Sequence, residues 1–201
     1  LFTLFLLSSF TSYLPSATAQ QPVYDTNGNQ LRNNGEYYIV PVSGGAGIDV
    51  VATGTEKCPL TIVQSSSSTK YSTVFKSEAT LPRPINYITQ NMAFSIKFGC
   101  NQYRGRPWTV VRGLPEGLAL KLNGYTNTAR VLRIKPYSPG SRNYKLLFCP
   151  DGSQCANVGF TLMLSERKRL VVSNTLPTLQ VQFQKYGPRF AMDNHLRSVA
   201  E

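Results

Sequence analysis

GEYYIVPVSGGAGIDVVAT, residues 35–53, carries two apolar runs, YYIVPV and IDVVAT, on either side of the glycine-rich SGGAG. Two folds compete for it. Glycines 44, 45 and 47 between a strand and a helix would make a phosphate-cradling loop and place the chain among α/β nucleotide-binding proteins. That reading needs a Lys-Ser/Thr pair and then a helical pattern. The sequence offers neither, and continues instead with β-branched runs, IDVVAT and LTIVQ. SGGAG therefore reads as a hairpin or barrel corner between two strands.

Outward from this stretch the same pattern repeats. The later runs are TVFK, INYIT, FSIKF, TVVR, LALKL, VLRI, YKLLFC, FTLML, RLVVS and LQVQF, separated by turn-forming clusters such as LPEG, NGY, SPGSRN and PDGSQ. Val, Ile, Tyr, Phe and Thr dominate them, as expected of short strands at near-regular spacing. No segment keeps an i, i+3, i+4, i+7 apolar stripe for three turns, so little helix is expected. The fold class is all-β, a sandwich or barrel. Closure would satisfy the unpaired edges of so many short strands.

The first nineteen residues stand apart. LFTLFLLSS is apolar and uncharged and leads to the small-residue ending ATA, which predicts a signal peptide over 1–19 cleaved after Ala19. It is too short to be a good membrane span, and no other stretch resembles one. Residues 20–186 are then one domain, and 187–201, without a strand pattern, are a flexible tail. SSSSTKYS (65–72) reads as a polar loop. A secreted or vacuolar location follows, and a soluble monomer with no membrane partner is expected.

Four cysteines, Cys58, Cys100, Cys149 and Cys155, are most simply two disulfides in a secretory protein. Three pairings are open. A metal site is disfavoured, because the chain has no C-x-x-C pair and its single histidine, His195, falls in the polar tail. No cofactor is implied. The net charge is +11, and between Asn101 and Leu147 nine cations face one acid, Glu116. Such a surface could meet a polyanion or an acidic partner surface, but it reads first as a solvated, solubilising face, and with no nucleic-acid module beside it nucleic acid is not expected. Catalysis is equally unsupported: with one histidine and scattered carboxylates, the chain lacks an assembled nucleophile, base and orienting group. It does not read as an enzyme.

VYDTNGNQLRNNGEYYIVP, CPLTIVQ, WTVV, GLPEG, NYKLLFCP and RLVVSNTLPTLQVQFQKY, in that order, resemble the plant Kunitz family of protease inhibitors, the soybean trypsin inhibitor type. The similarity spans about Val23 to Tyr186. It implies a β-trefoil, with six strands closing a barrel and six capping it, and disulfides Cys58–Cys100 and Cys149–Cys155. It also implies inhibition of serine endopeptidases by an exposed loop between the fourth and fifth strands, held in the shape of a bound substrate. A loop already so shaped loses little entropy on docking. An asparagine of the N-terminal segment braces that loop in the family, and Asn33 is the matching residue.

SEATLPRPINY, residues 77–87, falls where the loop belongs. It is several positions shorter than the family pattern. Arg83 is the leading specificity residue, pointing to a trypsin-like target, although Pro84 follows it and trypsin-like enzymes handle Arg-Pro bonds poorly. Lys76 and Leu81 are the alternatives, and Leu81 would select a chymotrypsin, elastase or subtilisin. Pro82 and Pro84 stiffen the short segment. Two other functions stay open: a non-inhibitory carbohydrate-binding or storage protein on the same scaffold, and an inhibitor of a cysteine protease or amylase through SPGSRN or the basic 101–112 segment. No N-x-S/T sequon is present.

Overall fold

Alternation of buried and exposed side chains builds the structure, a computed structural model. It describes residues 20–43, 47–56, 60–65, 72–77, 84–98, 105–114, 117–122, 128–129, 131–150, 154–163 and 167–187. Within these, thirteen strands and no α-helix are present. They are β1 (Glu36–Pro41), β2 (Gly47–Val51), β3 (Thr61–Ser65), β4 (Ser72–Ser77), β5 (Phe94–Phe98), β6 (Trp108–Leu114) and β7 (Gly117–Leu122). The remainder are β8 (Thr128–Ala129), β9 (Leu132–Pro136), β10 (Tyr144–Phe148), β11 (Ala156–Leu162), β12 (Lys168–Val172) and β13 (Gln180–Lys185).

Six of them close a ring. β13 pairs β1, β1 pairs β4, β4 pairs β5, β5 pairs β9, β9 pairs β10, and β10 returns to β13, every pairing antiparallel. A closed ring has no free edge, which is the expectation drawn from so many short strands. Between successive ring strands lie three hairpins: β2–β3, β6–β7 and β11–β12. Those hairpins meet one another through β3–β12, β3–β7 and β7–β12. The flanks of SGGAG are both strands, β1 in the ring and β2 in a hairpin, with no helix following the glycines; residues 44–46 themselves lie outside the described residues.

Ile39, Ile96, Ile134, Leu146, Val181 and Phe183 come from five ring strands and are all essentially inaccessible to water. Each such side chain contributes about 1.5–3 kcal/mol by leaving water. Tyr144 packs on Phe183 with ring centroids 5.4 Å apart, and Trp108 packs on Phe98 at 5.9 Å.

Two strand expectations need correction. INYIT does not form a strand: Tyr87 and Thr89 make single bridges to Arg32 and Pro22, while Ile88 is held between Val23 and Leu31. The segment has the composition of a strand, but its partners are short turns of the N-terminal chain, too brief for a ladder. Only Phe160, Thr161 and Leu162 of FTLML are strand, and they end a longer one that begins at Ala156. Gly159 hides its start, because it is needed where the Pro177 carbonyl approaches: a Cβ there would lie 2.4 Å from that oxygen. β8 has no local signal and exists through its pairing with Val110 and Val111.

Cys149 and Cys155 are joined. Their bridge clamps the turn from β10 to β11, worth about 2 kcal/mol on loop entropy. Cys58 and Cys100 lie outside the described residues, as do the predicted leader 1–19, residues 66–71 of the serine-rich loop and tail residues 188–201.

One ion pair is buried among the hairpins. Lys121 Nζ lies 2.6 Å from Glu56 Oε1, with both side chains under a tenth exposed. The ammonium also donates to Thr61 Oγ1 at 2.9 Å and Thr53 Oγ1 at 3.3 Å, and Thr61 donates to the Glu56 carboxylate. Desolvating two charges is costly, so removing one partner exposes the full penalty of the other. K121M is expected to lose about 3–5 kcal/mol, and K121M/E56Q to recover part of it. Denaturant midpoints of the two variants check this. A single-variant loss below about 1 kcal/mol would show the pair to be solvated.

Candidate functional site

The residues that support 77–87 come from the start of the domain. Asp25 opens a tight turn, in which its Oδ1 accepts the N–H groups of Asn27 and Asn29 while its own carbonyl accepts Gly28 N–H. Gly28 has φ of +83°, a left-handed conformation that glycine adopts without strain. The chain then runs through buried Leu31 into a second turn, Arg32–Gly35, closed by Gly35 N–H donating to Arg32 carbonyl at 3.0 Å.

That second turn rests on the barrel. Tyr37, the second residue of β1, is buried, and its hydroxyl accepts the Arg32 N–H at 2.9 Å. Burial raises the Tyr37 pKa above the ordinary phenol value; the Arg32 hydrogen bond pulls the other way and nearby Asp25 adds to the rise. Gly35 lies so close beneath that a Cβ would stand 2.7 Å from Tyr37 Cε2 and 2.9 Å from the Arg32 carbonyl.

Asn33 sits at the exposed side of this turn and makes two contacts with the far end of the candidate loop. Its side-chain amide donates to the Ile85 carbonyl at 2.8 Å, and its backbone N–H donates to the Asn86 carbonyl at 2.8 Å. At the other end, Ser77 makes the last rung of β4 with Phe94 of β5. The segment from 78 onward therefore leaves one anchored point and returns to another. Arg32, Asn33, Asn34, Pro84, Ile85 and Tyr87 line a groove of about 540 Å³ beside it.

Of the residues singled out in the sequence, Lys76 has its backbone within β4, opposite Ser95, and Pro84 is exposed at the groove. Asn33 is brought to Ile85 and Asn86. Leu81, Pro82 and Arg83 lie outside the described residues, as does His195. No cluster of metal-binding side chains occurs among the described residues. Sequence reasoning missed Tyr37 and Gly35 as supports of the Asn33 turn. Tyr37 reads as one more strand residue, and the available signal was the NNG turn preceding a tyrosine.

The chain belongs to the legume Kunitz family of trypsin and protease inhibitors, whose sequence model matches residues 23–185. It is a family of inhibitors, and the chain is not an enzyme. Albumin-1 of Psophocarpus tetragonolobus is 46% identical over 175 residues, 85% of this chain and 99% of that protein. A Kunitz-type trypsin inhibitor of Glycine max is 40% identical over 200 residues, 92% of this chain and 95% of its own. Among solved structures, winged bean albumin 1 superposes with a TM-score of 0.78 at 44% identity, over 83% of this chain and 99% of that one. Soybean trypsin inhibitor in complex with porcine pancreatic trypsin gives 0.73 at 35% identity, over 83% and 100%.

Two outcomes follow from the Asn33 support. Gly35→Ala has no room and is expected to cost about 1–3 kcal/mol by overpacking, read as a lowered denaturant midpoint. Tyr37 and Tyr144 both have phenol pKa values raised by burial, so folding favours their neutral forms. Their contribution is complete below the ordinary value of 10.0 and is lost as pH rises through the folded-state values. Y37F removes one of the two titrating groups and is expected to make the alkaline fall in Tm shallower. A superimposable profile counts against a buried phenol.

Proposed function

We propose that the chain inhibits a serine endopeptidase of trypsin-like specificity, presenting residues 76–86 from a β-trefoil body. The observation that carries this reading is the Asn33 brace: one side chain and one backbone N–H fix the carbonyls of Ile85 and Asn86, immediately after the segment that would enter the enzyme. Such anchoring lowers the ordering cost of docking, so that more of the contact energy appears as affinity. The six-strand ring with three hairpins supports the trefoil assignment, and the pairing of Cys58 with Cys100 belongs to the same reading.

Arg83 is the proposed specificity residue. A cationic side chain fills a primary pocket with an acid at its base. Lys76, tied into β4 at its backbone, is less free to enter a cleft, and Leu81 is the candidate for an apolar pocket. Membership of the family and its trypsin-inhibiting relatives support a serine protease as partner. The enzyme is met along the secretory route, whether outside the cell or in the vacuole, with the chain as a monomer.

A second reading is a storage protein without inhibitory activity. The relative named Albumin-1 favours it, since it is more similar than the trypsin inhibitors described above, and so does the Pro84 that follows Arg83. Titration of the purified chain against trypsin, chymotrypsin, subtilisin and papain separates the two. Stoichiometric inhibition of trypsin is expected, with R83A weakening it by about a thousandfold or more, as for a side chain that fills the central pocket of an interface. Inhibition of chymotrypsin or subtilisin alone would move the assignment to Leu81. Silence across the panel favours storage.

A further inference from the structure

The outer wall of the β9–β10 hairpin carries an arrangement that sheets ordinarily avoid. Lys135 and Lys145 are direct cross-strand partners, on the face opposite the buried Ile134 and Leu146. Like charges at that spacing repel. Arg133, the preceding outward residue of β9, lies diagonal to Lys145 and adds a third cation; its guanidinium is tied to the Asn91 carbonyl. None of the acids among the described residues, Asp25, Glu36, Asp49 and Glu56, belongs to β9, β10 or β13. The ion pair described above is buried elsewhere.

The same row continues into groups of a different kind. Tyr137, 47% exposed, follows Lys135 outward and lies opposite Asn143, whose carbonyl accepts its N–H. Asn143 Oδ1 accepts from Gln182 Nε2 at 2.7 Å. One face therefore offers three cations, an exposed aromatic ring and side-chain amides.

We propose that this face binds an acidic polysaccharide. The cations neutralise its carboxylate or sulfate groups and release their counterions. Tyr137 packs its ring on the apolar face of a pyranose, and the amides meet sugar hydroxyls. A bare polyphosphate would use the charges and leave the ring and amides idle. Single-stranded nucleic acid is bound by successive stacking rings, and Tyr137 stands alone on this row. The face shares no residue with the groove beside 77–87, so its fate is independent of protease inhibition.

Binding of the full chain to polygalacturonate, heparin and single-stranded DNA, measured as a function of salt, tests this. The expected result is salt-sensitive binding to at least one polysaccharide; binding of polygalacturonate shows that carboxylates suffice, whereas binding of heparin alone, which carries sulfates beside its carboxylates, marks the sulfated chain as the ligand. K135Q/K145Q is expected to weaken it about tenfold and flatten the salt slope by about one to two units. R112Q/R167Q removes equal charge at two exposed positions off the ring strands, and is expected to change affinity by less than about twofold, because exposed charges act over only about 10 Å in salt. Y137A is expected to weaken binding about threefold to tenfold with the salt slope unchanged. Circular dichroism confirms that each variant is folded. No binding of the wild-type chain to either polysaccharide, equal losses in the two charge variants, or an unaffected Y137A each overturns the proposal. Tighter binding of DNA than of either polysaccharide overturns it in favour of a nucleic-acid surface.

Discussion

Everything in this structure depends on the return of the last strand to the first. β13 lies between β1 and β10 and hydrogen-bonds to both, and without it the ring would be an open sheet with two unpaired edges. The residues it joins come from opposite ends of the domain, so closure requires the whole chain to be in place, a topology rich in non-local pairing. Its inward residues, Val181 and Phe183, complete the packing against Ile39 and Tyr144. Backbone pairing and apolar burial thus reinforce each other at one seam.

The N-terminal segment is fastened at that seam. Thr26 N–H donates to the Phe183 carbonyl, Tyr24 N–H to the Tyr144 hydroxyl and Arg32 N–H to the Tyr37 hydroxyl. Each of these acceptors belongs to a ring strand. The turn bearing Asn33 is therefore positioned by the rigid body of the molecule, and it transmits that rigidity to Ile85 and Asn86. A side chain on a turn secured in this way holds the two residues it touches in a fixed place against the body.

The buried pair of Lys121 and Glu56 illustrates a different economy. Two charges and two threonine hydroxyls satisfy one another where β3 and β7 meet, at their Thr61–Lys121 rung. Apolar side chains could fill the same space. The ionic solution ties Thr53 and Glu56 to the hairpin cluster with directional bonds, which apolar packing does not provide.

Strand composition and alternation were readable from local residues, since Val, Ile and aromatic runs between glycine and proline clusters suit half-buried strands wherever they occur. The all-β class and most ring and hairpin strands followed from that alone. INYIT misled because its composition suits a strand while its partners are turns, and β8 was invisible because pairing creates it. Asn33 was legible as a candidate only through the family resemblance. Its support by Tyr37 and Gly35 was not, since a hydroxyl that caps a turn looks, in sequence, like another core tyrosine. The tertiary structure alone decided which strands meet, that the ring closes, and that residues 33 and 85 touch. Those are distances between parts of the chain far apart in order, set by the summed burial of many side chains, and no local pattern encodes them.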